Sequence, residues 1–222
     1  MVDQQGVLVR ELRTPRAAAI AGILFALLHG AAIMLLQWGR PANGDPSQWV
    51  TESSQRRAVG LAIELIPYAG IAFLWFIGVI RSRLGDREDK LFATVFLGSG
   101  LLFVAMLFTA AAITGALLDL YGGTQPVSTD DARLASAITT TLLGAFGIRM
   151  AAVFTLVVTT LGRRTSIVPG WLVVFGYSTA VILLLVPPST RWVALLFPAW
   201  VLLLSLQLLV VSLRSKTDVE AA

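Results

Sequence analysis

The chain has 222 residues, of which 56% are hydrophobic and 14% charged, with a formal net charge of +4 and a mean hydropathy of +0.80. This composition lies outside the range of soluble globular proteins and predicts a polytopic membrane protein. The absence of cysteine and the presence of one histidine exclude disulfides, thiolate metal sites and the bis-histidine ligation of membrane haem proteins. We therefore expect neither a metal nor a cofactor.

Six apolar stretches follow in chain order, each with the roughly 20 residues that a helix needs to cross the hydrocarbon. They cover 17–38, 60–80, 91–118, 134–161, 167–186 and 192–213. The third and fourth exceed the required length, and we expect these helices to tilt or to project from the bilayer. The predicted fold is all-α, a polytopic membrane bundle of six transmembrane helices. Its parts are an N-terminal tail (1–16), a transmembrane domain (17–213) and a C-terminal tail (214–222).

Basic residues predict the orientation, since short loops rich in Lys and Arg stay on the cytoplasmic side. One side of the predicted bundle holds 11 such residues: Arg10, Arg13, Arg16, Arg81, Arg83, Arg87, Lys90, Arg163, Arg164, Arg214 and Lys216. The other side holds 5: Arg40, Arg56, Arg57, Arg133 and Arg191. Both termini are therefore predicted to be cytoplasmic.

The loops indicate structure more than chemistry. The segment before the fourth stretch, 122–134, places Asp130 and Asp131 in the first turn of a helix, where a negative charge favours the helix dipole. The last two stretches are joined by the short sequence VPPST, which leaves no room for a re-entrant pore loop. A pore of the tetrameric potassium-channel type is thereby disfavoured.

One arginine interrupts the fourth stretch. Arg149, within GAFGIRMAAVF, has no charged neighbour for more than ten residues on either side. Its insertion costs about 2.5–3.5 kcal/mol at a helix centre, so it needs a partner. Glu64 in the second stretch is the best candidate. Pro67 adds an acceptor, because it leaves the carbonyl of residue 63 without its amide partner, and Tyr68 offers a hydroxyl or faces lipid.

Two interpretations of these residues remain open. Glu64 and Arg149 either form a buried ion pair that fixes the helix register or belong to a site for a solute, a proton or an anion. Contact of Arg149 with lipid phosphate or with a partner subunit is a further alternative. His29, near the middle of the first stretch, is either a packed, hydrogen-bonded side chain or a proton relay.

Small and hydroxylated residues predict how the helices pack. Segments 98–100, 109–116 and 144–147 supply smooth faces for close helix crossings. The threonines at 139–141 and 159–160 can satisfy their hydroxyls by bonding back to carbonyls of their own helix. We therefore expect these threonines to need no ligand.

The segment AGIAFLWFIGVIRSRLGDREDKLFATVFLGSGLLFVAMLF, residues 69–108, resembles a stretch of uncharacterised six-span membrane proteins from mycobacteria and related actinobacteria. The resemblance covers no more than a third of the chain. It implies a multi-pass protein of the bacterial plasma (inner) membrane and brings no activity with it.

Two functions from different classes follow. The favoured one is a non-enzymatic accessory or scaffold subunit of a membrane assembly. The alternative is a small proton- or anion-handling transporter or channel that uses Glu64, Arg149 and His29. An enzyme ranks third, because no acid–base constellation stands out on either face. The expected partners are the lipid bilayer and either other membrane proteins or further copies of the chain, and no nucleic acid.

Overall fold

The computed structural model describes residues 4–39, 52–84, 90–121, 128–164, 168–185, 187 and 192–220, and these residues form six helices without a strand. Their bounds are α1 Gln4–Trp38, α2 Ser53–Leu84, α3 Lys90–Leu120, α4 Thr129–Arg164, α5 Gly170–Leu185 and α6 Val193–Glu220. α4 contains a π-helical stretch, Leu142–Gly147, and α6 opens with a 3₁₀ turn, Val193–Leu195. The all-helical, multi-pass prediction is confirmed.

Five of these helices are long and apolar enough to cross a membrane. The qualifying segments are Arg16–Trp38, Ser53–Arg81, Leu91–Leu120, Asp130–Arg164 and Val193–Leu213. The third and fourth are 30 and 35 residues long, which agrees with the expectation that they exceed the bilayer thickness. α5 has 16 residues, about 24 Å of rise, against a hydrocarbon core of about 30 Å. The six-span count and the cytoplasmic termini stay predictions.

The start of α4 shows how a local sequence fixes a helix end. Ser128 is the N-cap residue, and its hydroxyl accepts a bond from the backbone N–H of Asp131 at 3.4 Å. Asp130 and Asp131 lie in the first turn, as the sequence predicts. The phenol of Tyr121, just after α3, donates to the Asp131 carboxylate and joins the two helix ends.

The helices pack in chain order. Each packs against the next, and α6 packs against α1, so the six form a closed ring. Arg16, Arg81, Arg163 and Arg164 gather at one end of this ring, which we call the basic end. There the Arg164 guanidinium lies 4.7 Å from the centre of the Phe92 ring at the start of α3.

Phenylalanine rings fill the centre of the bundle. Five helices contribute to this aromatic core: Phe25 from α1, Phe73 and Phe76 from α2, Phe96 and Phe103 from α3, Phe154 from α4 and Phe197 from α6. Neighbouring ring centres lie 4.5–6.3 Å apart, in stacked, tilted and edge-on arrangements. Such pairs are favourable at these separations. The bundle axis is therefore packed with side chains at this level.

Glycines allow the closest helix approaches. A Cβ on Gly100 would lie 2.5 Å from the Ile77 side chain of α2 and 3.3 Å from Phe154, so the predicted smooth face at 98–100 is used here. Gly22, which lies outside the predicted smooth faces, packs against the hydroxyl of Ser205 and the ring of Phe76. The hydrophobic effect does not drive helices together in lipid. Small residues thus stabilise the bundle by allowing close packing between helices.

Candidate functional site

Arg149 lies on the outward face of α4. It is half-buried, and Phe146 and Leu156 on the same face are exposed. Its side chain turns back one helical turn toward the start of α4, in the direction expected for a helical residue. One guanidinium nitrogen donates to the carbonyls of Ala145 at 2.6 Å and Gly144 at 3.4 Å. The arginine is therefore held by its own helix.

The π-helical stretch explains why those carbonyls are available. In this widened turn the N–H of Ile148 bonds to the carbonyl of Leu143, five residues earlier, and such bulges are rare in α-helices. Gly147 sits at the end of the bulge, where a Cβ would lie 3.2 Å from the carbonyl oxygen of Leu142. Glycine at this position avoids that contact, and the widened backbone presents Gly144 and Ala145 oxygens to the guanidinium.

Glu64 lies on the outward face of α2 and is exposed. It forms no ion pair with Arg149, and within the described ranges no other hydrogen bond or ion pair involves it. The physical reason is the ring order, because α3 packs against both α2 and α4 while Glu64 points away from the bundle. Glu64 is thus not the partner that the sequence predicts for Arg149.

Tyr68 and Pro67 share the outward surface of α2 with Glu64. Tyr68 is 65% exposed, Pro67 is exposed and lies inside the helix, and Trp75, two turns further on, is 68% exposed. We call Glu64, Tyr68 and Trp75 the α2 polar stripe. The nearest basic side chain on this face is Arg57, which lies about 10 Å from Glu64 along the helix axis, toward the start of α2. Its guanidinium donates to the carbonyl of Ser53 at 3.2 Å.

His29 lies inside the bundle and is only 8% exposed. Its ring stacks on Phe25 with centroids 5.2 Å apart and meets Phe103 edge-on at 5.7 Å. Its Nδ1 is buried and has no hydrogen-bond partner within the described residues. The packed environment that we expected is present, whereas a hydrogen bond at Nδ1 is not.

The predicted site residues do not form one site. Glu64 and Arg149 face outward from two helices that are separated by α3, and His29 faces the aromatic core from α1. Whether any of these three residues lies on a solute pathway stays a prediction. In the described part of the chain, no group of three histidine or acidic residues could hold a metal ion.

Sequence reasoning missed a set of buried hydroxyls. Thr160 does bond back to the carbonyl of Leu156 at 2.8 Å, as expected. The hydroxyl of Thr159, beside it, is buried and has no partner within the described residues, and the same holds for Thr179 and Ser205. The expectation that Thr159 bonds back along its helix is wrong. The run of two threonines was a signal, but it could not show which one bonds back.

Outside the spans, one contact perturbs a titration. The hydrogen bond to the Asp131 carboxylate raises the pKa of the Tyr121 phenol, since the protonated phenol is the form that donates it. This contact lies at the end of the bundle opposite the basic end.

The described part of this multi-pass membrane protein thus contains four notable polar features: an outward acidic residue, an arginine bonded to its own helix, a buried histidine and unpaired internal hydroxyls. Comparison of the chain with known protein families, with curated proteins and with solved structures finds no match.

Proposed function

We propose that the chain is a non-enzymatic accessory or scaffold subunit of a membrane assembly in a bacterial plasma membrane. The observation that supports this is the outward carboxylate of Glu64. Glu64 lies about 25 Å of helix rise from Arg81 at the basic end, within a hydrocarbon layer of about 30 Å. That places Glu64 about 5 Å inside the far edge of the layer, where an exposed carboxylate needs a donor from a partner helix or from water at the edge.

The α2 polar stripe fits a transmembrane helix of a partner. A basic or hydrogen-bond-donating side chain on that helix would satisfy Glu64, and the Tyr68 hydroxyl and the Trp75 indole N–H add two further polar contacts. The aromatic groups also provide contact area, which is typical of interface anchors. The packed centre of the bundle agrees with a role in which the outer surface carries the function.

Native mass spectrometry of the protein, extracted gently from its own membrane, tests this proposal. We expect stoichiometric foreign membrane subunits whose recovery falls with Glu64→Ala and persists with Glu52→Ala. Glu52 is the matched control because it is also exposed but precedes α2. Recovery without any partner, or a complex that ignores both substitutions, would contradict the proposal. Reporter fusions at both termini would test the cytoplasmic orientation.

A second candidate function, proton handling, is favoured by the unpaired Nδ1 of His29. Burial among phenylalanine rings disfavours the charged imidazolium, so proton transfer at Nδ1 would require water to reach it from one end of the bundle. In liposomes with a pH-sensitive dye, wild-type protein would then dissipate an imposed proton gradient, and His29→Gln would not. Equal leak rates for wild type, His29→Gln and empty liposomes would rule this function out.

A further inference from the structure

The guanidinium of Arg149 keeps hydrogen-bond donors that its own helix does not use. An arginine carries five N–H donors in a planar fork. Both of its bonds to α4 start from one terminal nitrogen, Nη1, and end on the carbonyls of Ala145 and Gly144. Among the described residues no hydrogen bond or ion pair involves Nε or the other terminal nitrogen, Nη2. These two nitrogens form one edge of the guanidinium, and their N–H groups point the same way.

Helix length places this guanidinium near the membrane edge opposite the basic end. Arg149 precedes Arg164 by 15 residues, which is about 22 Å of rise. In a hydrocarbon layer of about 30 Å, its Cα therefore lies about 8 Å inside the far edge. The side chain turns back by about one further turn toward that edge, or about 5 Å, to reach the carbonyls that hold it. The guanidinium is thus at the level where acyl chains meet headgroups.

The composition of α4 indicates the same level. The part before the π-helical stretch, 129–141, reads TDDARLASAITTT and contains three charged side chains and five hydroxyls. In the part after it, 148–162, Arg149 is the only charged residue. The change from polar to apolar sequence therefore occurs at the π-helical stretch, whose carbonyls hold the arginine. Length and composition agree that Arg149 lies near an interface.

The outward face of α4 has the polarity order of a phospholipid. Leu156, two turns from Arg149 toward the basic end, is exposed on this face. Thr141, on the other side of Arg149, is also exposed. The π-helical stretch inserts one extra residue, so the eight residues from Thr141 to Arg149 make about two turns and keep both on one face. Along the face an apolar, a cationic and a hydroxyl side chain thus follow one another, in the order of acyl chain, phosphate and headgroup.

We propose that Arg149 binds the phosphodiester of a membrane phospholipid in the leaflet opposite the basic end, through the parallel N–H donors of Nε and Nη2. The arginine fork matches two phosphate oxygens, a geometry that lysine cannot reproduce. The bonds from Nη1 to the π-helical stretch orient the guanidinium before the lipid binds, which lowers the cost of ordering it. The site does not involve Glu64. It therefore stands whether or not the chain is a scaffold subunit.

Four variants isolate the site. Arg149→Gln removes the charge and the fork, and Arg149→Lys keeps the charge without the fork. Gly147→Ala leaves Arg149 in place and disturbs the stretch that holds it, since a Cβ there would lie 3.2 Å from the carbonyl oxygen of Leu142. Arg133→Gln is the matched control, because Arg133 is an exposed arginine of the same helix. It lies about 24 Å of rise from Arg149, beyond the edge of the hydrocarbon.

Native mass spectrometry of the delipidated full chain in detergent provides the measurement. Each protein is titrated with phosphatidylglycerol, phosphatidylcholine and a diacylglycerol with the same acyl chains, which has no phosphate. We expect Arg149→Gln to weaken the binding of both phospholipids about tenfold, the size of one charge-assisted hydrogen bond, and to leave diacylglycerol binding unchanged. Arg149→Lys and Gly147→Ala should give intermediate losses, and Arg133→Gln should bind as wild type does. Lipids held at the basic end respond alike in all variants, so these differences report on Arg149.

The other possible occupants give different results. Phospholipid binding that is equal in wild type, Arg149→Gln and Arg149→Lys would overturn the proposal, as would an equal loss in Arg133→Gln or for diacylglycerol. A titration with inorganic phosphate identifies a free-anion site, in which wild type alone gains a phosphate adduct and phospholipid binding ignores Arg149. Gentle extraction from the native membrane identifies a protein carboxylate, because Arg149→Gln would then lose a protein subunit and keep its phospholipid. Either of these two results contradicts a lipid site.

Discussion

Phe73 is, together with Phe197, one of two phenylalanines in the aromatic core whose rings meet rings from four other helices. It is fully buried, and its ring centre lies 4.5 Å from Phe25, 5.0 Å from Phe154, 5.5 Å from Phe103 and 5.6 Å from Phe197. These four neighbours belong to α1, α4, α3 and α6. Phe73→Ala should therefore weaken contacts between α2 and four other helices at once.

The size of the effect follows from packing. Truncation of a buried phenylalanine to alanine typically costs about 3–5 kcal/mol, and aromatic pairs add about 0.5–1.5 kcal/mol each beyond burial. In lipid, loss of the ring leaves a void that the neighbouring helices must close, because packing is what holds them together. We expect Phe73→Ala to lower the free energy of unfolding by about 3 kcal/mol or more.

Unfolding in mixed micelles, titrated with a denaturing detergent and followed by circular dichroism, measures this loss. Phe146→Ala is the matched control, since Phe146 is 53% exposed and its removal should change stability by no more than about 0.5 kcal/mol. If the two variants unfolded within about 1 kcal/mol of each other, the central position of Phe73 in the core would be refuted.

Three further predictions concern other parts of the chain. Gly22→Ala should destabilise the bundle by about 1–3 kcal/mol, because its Cβ would overlap side chains of α2 and α6. Gly30→Ala is the control and should not destabilise it, since a Cβ there would have no neighbour within 4 Å. Parallel detergent titrations compare the two variants. Arg149→Met should leave stability within about 1 kcal/mol, since the lost bonds join Arg149 only to its own helix, and a larger loss in the same titration would reveal another partner. Absorbance titration should show the pKa of Tyr121 raised, and Asp131→Asn should lower it. Because the contact stabilises the protonated phenol, it contributes to folding stability below the ordinary tyrosine pKa of about 10. That contribution is lost as pH rises through the raised pKa.

The positions of the long spans could be predicted because apolar length is a local property of the sequence. Segments 17–38 and 91–118 agree with the helices found there, and Asp130 and Asp131 lie in the first turn of α4 as predicted. The centre of the bundle could not be predicted in the same way. Which phenylalanines meet depends on the rotation of each helix about its axis, and hydrophobic periodicity is weak when lipid-facing and buried faces are both apolar.

Thr159 and Thr160 show the limit at the scale of single side chains. They are identical neighbours on one helix, yet Thr160 bonds to its own backbone and Thr159 does not. The difference arises because Thr159 packs against Gly176 of α5, whereas Thr160 also lies 3.2 Å from the Tyr177 hydroxyl. Contacts between helices set the side-chain conformation, and no local pattern encodes them.

The partner of Arg149 was mispredicted for a reason that bears on Glu64. A carbonyl oxygen has two lone pairs, so an arginine can bond to carbonyls that already take part in a helix. A carboxylate only accepts, and in the middle of a helix every backbone N–H is already used. Arginine can therefore be satisfied by its own helix, whereas an ionised glutamate at the same depth needs another chain or water.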